Sequence, residues 1–247
     1  MTLSPSPRVA LVTGAGSGIG RATAIVLAER GASVTLVGRR ESALTQTASE
    51  IAEVGGDALV FPADSSDPKA MQNVVAATVE HFGALHWAVN NAGIAGTPAP
   101  LHQVAVEDWA RVLGTDLTGV FLAMRAEIPA MLDAGGGSIV NVSSVFADRG
   151  LTVDYSSAKH ALRGLTRSAA QQYGTLGIRV NELQPGVIWS EMTEANPEGT
   201  QIVADRGIPL GRIGDAKEVA RAIAFLLSDD ASYITGAHLA VDGGFLA

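Results

Sequence analysis

The chain has 247 residues, 47% hydrophobic and 17% charged, with a formal net charge of −8 and no cysteine. Such a composition is too apolar for a disordered chain, and its acidity argues against a nucleic-acid partner, which calls for a basic patch. Lacking cysteine, it has neither disulfides nor thiolate metal sites. No apolar run approaches the ~18–20 residues of a membrane span, and residues 1–7 lack the order of a secretory signal. A cytoplasmic protein with no membrane partner is therefore expected.

Short apolar runs alternate with helical periods along the chain. A strand at 8–12 leads into a helix over 18–30, with Ile19, Ala22, Ile25 and Val26 on one face. A strand at 33–37 precedes a helix over 41–54. A strand at 58–61 is followed by a helix over 68–82, with Asp67 as N-cap and Pro68 in its first turn. A strand at 85–89 precedes one long helix over 106–132. A strand at 137–142 leads to a helix over 154–173, and a strand at 179–183 follows. Residues 187–207 show no clear period and read as a substrate loop, with Trp189 and Met192 as wall residues. A helix over 216–227 and a strand at 238–241 finish the chain.

Strands separated by helices of this length imply right-handed crossovers. The expected fold is α/β, a single Rossmann-like doubly wound parallel sheet with helices on both faces. It forms one dinucleotide-binding catalytic domain over 1–247, with a short tail at 1–7. Ligands of such sheets bind beyond the carboxyl ends of the strands.

The first strand runs into Thr13-Gly14-Ala15-Gly16-Ser17-Gly18-Ile19-Gly20 and then a helix. Glycines permit the tight turn and let backbone amides approach a pyrophosphate at the positive helix N-terminus. That context, between the first strand and first helix, is the one a dinucleotide site requires. Beyond the second strand come Gly38-Arg39-Arg40. An acidic residue there would serve the ribose 2′-hydroxyl of NAD, whereas arginine suits the 2′-phosphate of NADP. NADP(H) is favoured and NAD(H) stays open.

Three further motifs occur in order: Asn90-Asn91-Ala92-Gly93, Tyr155-x-x-x-Lys159 and Pro185-Gly186. With the glycine loop, they make the chain resemble the short-chain dehydrogenase/reductase family from residue 8 to its end. The resemblance implies a cofactor site built from Gly14, Ser17, Gly18, Ile19, Gly20, Asp64, Asn90, Ala92, Gly93, Tyr155, Lys159, Pro185, Gly186, Ile188 and Ser190, beside Arg39 and Arg40. Asp64 also reads as a turn residue, and the Asn pair as a brace between strands.

Carbonyl reduction needs a hydride donor and a proton donor. An ordinary phenol keeps its proton to about pH 10, and a cation nearby favours the phenolate. Tyr155 and Lys159, four apart on one helix, share a face. By resemblance Lys159 also grips the nicotinamide ribose, and a serine after the fifth strand polarises the carbonyl. Ser144 matches the register, with Ser143 its competitor. The family's catalytic Asn is replaced by Asp116 in Asp116-Leu117-Thr118-Gly119. An ionised Asp accepts hydrogen bonds but cannot donate them, so a shifted pH optimum is expected. The buried-acid reading of Asp116 also stands.

The five histidines show no metal spacing, and no catalytic metal is expected. The reading is a carbonyl reductase or alcohol dehydrogenase acting on a small carbonyl or alcohol. Resemblance also implies a homotetramer. The rivals are a dinucleotide-sensing regulator, a methyltransferase and an epimerase or dehydratase. The first has no need of the Tyr155–Lys159 pair, the second expects an acid where Gly38 stands, and the third usually needs a larger substrate lobe.

Overall fold

The computed structural model describes residues 8–194 and 197–247. A few side chains in the 191–207 stretch, Met192 among them, lie outside the description, as does the expected tail at 1–7. The elements are β1 (Val9–Thr13), α1 (Gly18–Glu29), β2 (Ser33–Gly38), α2 (Glu41–Glu53), β3 (Ala58–Pro62) and α3 (Pro68–Phe82). There follow β4 (Trp87–Asn90), α4 (Val106–Leu113), α5 (Gly119–Asp133), β5 (Gly137–Val142), α6 (Phe146–Arg149) and α7 (Val153–Tyr173). The chain closes with β6 (Ile178–Pro185), α8 (Glu191–Glu194), α9 (Pro197–Gly207), α10 (Ala216–Leu227) and β7 (His238–Val241).

The seven strands form one sheet in the order β3-β2-β1-β4-β5-β6-β7, with every neighbouring pair parallel. Side chains alternate across it as the two-residue strand period requires. Ala10, Val12, Val89, Val140 and Leu183 face α1, α2 and α10. Leu11, Ala88, Ile139 and Val180 face α3, α5 and α7. Full burial of one such leucine or isoleucine contributes about 1.5–3 kcal/mol. Winding reverses at the β1–β4 junction, which puts a crevice above the carboxyl ends of those two strands.

Two expectations need correction. The helix expected over 106–132 is broken by a π-helical turn, Gly114–Thr118, between α4 and α5. Helical periodicity continues through the widened turn, which hides it from the sequence. The stretch 187–207, read as a loop, contains α8 and α9. Pro197 sits at the start of α9, a position it favours. Ala204 in α9 and Ile208 just beyond it, four apart, pack with Phe245 from the chain's end. Elsewhere strand and helix ends differ from expectation by a residue or two, as with β4, which begins at Trp87. Asp67 caps α3, accepting from the amides of Lys69 at 2.8 Å and Ala70 at 3.2 Å.

Candidate active site

The site begins at Thr13, the last residue of β1. Its hydroxyl oxygen accepts the amides of Asn91 at 3.0 Å and Ala92 at 3.1 Å, tying the loop after β1 to the loop after β4. Gly14 and Gly18 have positive φ of 66° and 50°, a region open to glycine. A Cβ at Gly20 would run into the Gly14 carbonyl, and one at Gly14 would lie 2.7 Å from Asn91 Nδ2. The first turn of α1 therefore packs directly on the glycine loop. Its amides have no partners within the helix and carry partial positive charge.

A cavity of about 470 Å³ runs from Gly14 and Ser17 past Gly38, Arg39 and Arg40 to Asp64 and Ser65. A second, of about 220 Å³, shares Gly14, Ser17, Ala92 and Gly93 with it and reaches Gly18, Ile19, Asn91, Ser143, Ser144, Tyr155, Lys159, Pro185, Ser190 and Glu191. Together they make a groove along the carboxyl edge of the sheet. A glycine cradle that a Cβ would fill, a helix N-terminus and two arginines at the far end fit a dinucleotide.

At that far end Gly38 leaves no carboxylate on β2. The Asp64 carboxylate accepts the amide and hydroxyl of Ser66, at 2.9 and 2.7 Å. Those bonds, with the charge of Arg39 beside it, hold Asp64 below the usual carboxylate range. Arg40 is paired at 2.6 Å with Glu191, at the start of α8 on the other side of the groove.

At the chemical end Lys159, 3% exposed, donates from Nζ to the Val142 carbonyl at 3.1 Å. Its ammonium lies 5.5 Å from the centre of the Tyr155 ring and 3.5 Å from Asp116 Oδ2. The π turn aims the fully buried Asp116 at this point, with Oδ1 accepting the Ile94 amide at 2.9 Å. Burial raises the Asp116 pKa, with Lys159 and the Ile94 amide pulling the other way. Ser143 and Ser144 differ in what their hydroxyls do. Ser143 Oγ donates to the Lys159 carbonyl at 2.9 Å, whereas Ser144 Oγ accepts the Phe146 amide at 3.2 Å.

Five of the expected site residues do not line the groove: Gly20, Asn90, Asp116, Gly186 and Ile188. Asn90, still within β4, points inward and donates to Glu127 at 3.2 Å and Asn141 at 3.1 Å. Gly186 gives its amide to Val241, and Ile188 packs in the core beneath α1 and α10. Conversely, Thr13, Asn91, Thr115 and Glu191 reach the groove without having been singled out. The second Asn of Asn90-Asn91 was findable, since strand alternation buries one and turns the next outward. Trp189 is 42% exposed and lines neither cavity.

Comparison with known proteins decides the family. A family model described as enoyl-(acyl carrier protein) reductase matches residues 14–246. The chain is 42% identical over 240 residues to cyclohexanol dehydrogenase of Acinetobacter sp. (strain SE19), covering 96% of this chain and 94% of that one.

The chain is a short-chain dehydrogenase/reductase.

It is also 44% identical over 242 residues to cis-4-hydroxycyclohexanecarboxylate dehydrogenase of Sinomonas cyclohexanicum, covering 97% of each chain. The crystal structure of levodione reductase superposes with a TM-score of 0.92 at 38% identity, covering 96% of each chain. The enzyme is thus a nicotinamide-dependent dehydrogenase acting on CH–OH or C=O groups. Among the described residues no helix is long and apolar enough to cross a membrane.

Proposed function

We propose that this enzyme interconverts a secondary alcohol and a ketone on a six-membered carbocycle, with NADP(H) as cofactor and Tyr155 as the proton-transfer group. One observation carries the reading: Tyr155 and the buried Lys159 ammonium face the same end of the groove, 5.5 Å from Nζ to ring centre. Two relatives whose names carry a cyclohexane ring support the substrate class. Gly38 in place of an acid, with Arg39 and Arg40 after it, supports the 2′-phosphate.

A bound nicotinamide supplies the hydride in reduction and takes it in oxidation. The chain's own residues handle the oxygen and its proton. In reduction Tyr155 gives its phenolic proton to the carbonyl oxygen as that oxygen becomes an alcohol, and in oxidation the phenolate takes it back. The Lys159 ammonium brings the positive charge of this end of the groove to 5.5 Å from the Tyr155 ring centre. Ser144, whose oxygen accepts the Phe146 amide, keeps its hydroxyl proton free to donate to the substrate oxygen. Ser143 spends its proton on the Lys159 carbonyl and serves to hold that helix. Asp116 acts as the counter-ion of Lys159. A cytoplasmic homotetramer is the assembled form we propose.

The test is nicotinamide absorbance with cyclohexanol and cyclohexanone, using both cofactors. NADP(H) should give the higher kcat/KM. Tyr155→Phe should lose about 10²–10⁴-fold in kcat while dinucleotide binding, read by fluorescence, stays within a factor of about two. Parental turnover by Tyr155→Phe would end the proposal.

A further inference from the structure

Residues 93–97 follow β4, and the segment enters the groove at Gly93, which lines both cavities, and at Ile94, which lines the first. This segment is held at two points by buried carboxylates. Ile94 gives its amide to Asp116 Oδ1 at 2.9 Å. Three residues on, Thr97 gives its amide to Asp154, at 2.9 Å from Oδ2 and 3.2 Å from Oδ1. Asp154 is fully buried in the first turn of α7, directly before Tyr155, and its Oδ1 also accepts the Tyr155 amide at 2.8 Å. One carboxylate thus joins the proton-transfer residue to Thr97, which precedes Asp154 by 57 positions.

Between the anchors, Gly96 presses on the same turn. A Cβ there would run into Thr152 Oγ1, come within 2.6 Å of Asp154 Oδ1 and lie 2.8 Å from Tyr155 Cβ. The approach leaves no room for a side chain. Burial works against the Asp154 charge, but amide donation led by Thr97 and Tyr155 outweighs it and holds the group below the usual carboxylate range. It is therefore an ionised acceptor at neutral pH.

We propose that Asp154 is a positioning residue: its carboxylate clamps residues 93–97 to the turn bearing Tyr155, and so fixes the distance between the phenol and the opposite wall of the groove. Asp154 is not among the pocket-lining residues and acts only through Tyr155 and Thr97. Proton and hydride must move in one geometry, and a misplacement of about 1 Å can cost about 10²-fold. The clamp rests on the proposed role of Tyr155 only for its effect on rate, because the packing stands without it.

Asp154→Asn tests the clamp. The side chain keeps its shape, but one acceptor oxygen becomes an NH₂ donor that cannot receive the Thr97 amide. Expected are a 10–100-fold fall in kcat, dinucleotide affinity within twofold of the parent, and faster hydrogen exchange in a peptide spanning residues 93–97. Gly96→Ala keeps the carboxylate and wedges the segment from the other side, so the same three changes are expected if Asp154→Asn does not fold. Parental kcat, or unchanged exchange at 93–97 in a folded variant, would overturn the clamp. If faster exchange were found while Tyr155→Phe turned over at the parental rate, the clamp would stand and the proton-transfer reading would fall.

Discussion

Asp116 and Glu127 are both without exposure, yet burial acts on them in different company. Asp116 has Lys159 within 3.5 Å, so its charge has a partner. Its protonation as pH falls would leave the Lys159 ammonium without a counter-ion. Asp116→Asn should therefore change the acid limb of the kcat/KM profile against pH, with little effect at the plateau; a superposable profile would remove Asp116 from the chemistry. Among the described residues Glu127 has only the Asn90 amide as donor, and burial pushes its pKa up to about 8. A raised native pKa contributes stability below the unfolded value of about 4.5, which is lost as pH rises toward about 8. Glu127→Gln mimics the neutral acid. Its Tm should fall less than the parent's between those pH values, and equal slopes by differential scanning calorimetry would show that Glu127 is charged throughout. At the same scale, Ser144→Ala should reduce kcat by about 10²–10³-fold, what one lost hydrogen bond to a developing charge costs. Ser143→Ala should act mainly on Tm, and equal kcat losses in the two would contradict their division of labour.

Among the elements, α8 is placed to matter for cofactor exchange. Its first residue, Glu191, pairs with Arg40 across the groove, and both partners are more than half exposed, at 55% and 61% of their side chains. Such an exposed pair is worth at most about 1 kcal/mol, so a 2′-phosphate can take Arg40 from it at little cost. Glu191→Gln should tighten NADPH binding severalfold and leave NADH binding unchanged, read by fluorescence titration. Equal effects on the two would separate Glu191 from the phosphate. The elements also differ in how visible they are before folding. β1, the glycine loop and α1 are legible because their requirements are local: an unbroken run of buried residues in β1, positive φ at Gly14 and Gly18, no Cβ at Gly20. Tyr155 and Lys159 are legible for the same reason, being one turn apart. α9 is not, because Ala204 and Ile208 pack with Phe245 at the far end of the chain. The π turn at Gly114–Thr118 is hidden because its cause is the demand of Ile94 and Lys159 for Asp116, contacts 22 and 43 positions distant. Asn90 stands within β4, which runs one residue further than its apolar run, and its side chain bonds Glu127 and Asn141 as the brace reading of the Asn pair has it.

For the whole molecule, seven parallel strands with helices on both faces bury the central strands of the sheet, and the chain's high apolar fraction answers that demand. Some apolar surface remains outside: Val106 and Phe121 on α4 and α5 are 76% and 48% exposed. In the proposed homotetramer a second copy of the chain would cover it. Light scattering on the purified enzyme should give a mass near four times 25.3 kDa; a monomer at micromolar concentration would rule the assembly out.

The paired amides on the Thr13 hydroxyl mark a seam. Arg39, Arg40 and Asp64 stand to one side of it, on the β2 and β3 edge; Ser144, Tyr155 and Lys159 stand to the other, on strands and helices wound in the opposite direction. Gly38, Arg39 and Arg40 line only the first cavity, and Ser144, Tyr155 and Lys159 only the second, with the glycine loop and the exposed Arg40–Glu191 pair between them. On the proposed reading, coenzyme choice and alcohol choice can therefore drift independently, and an engineer exchanging Gly38, Arg39 and Arg40 should switch the reductant without retuning the half that recognises the ketone.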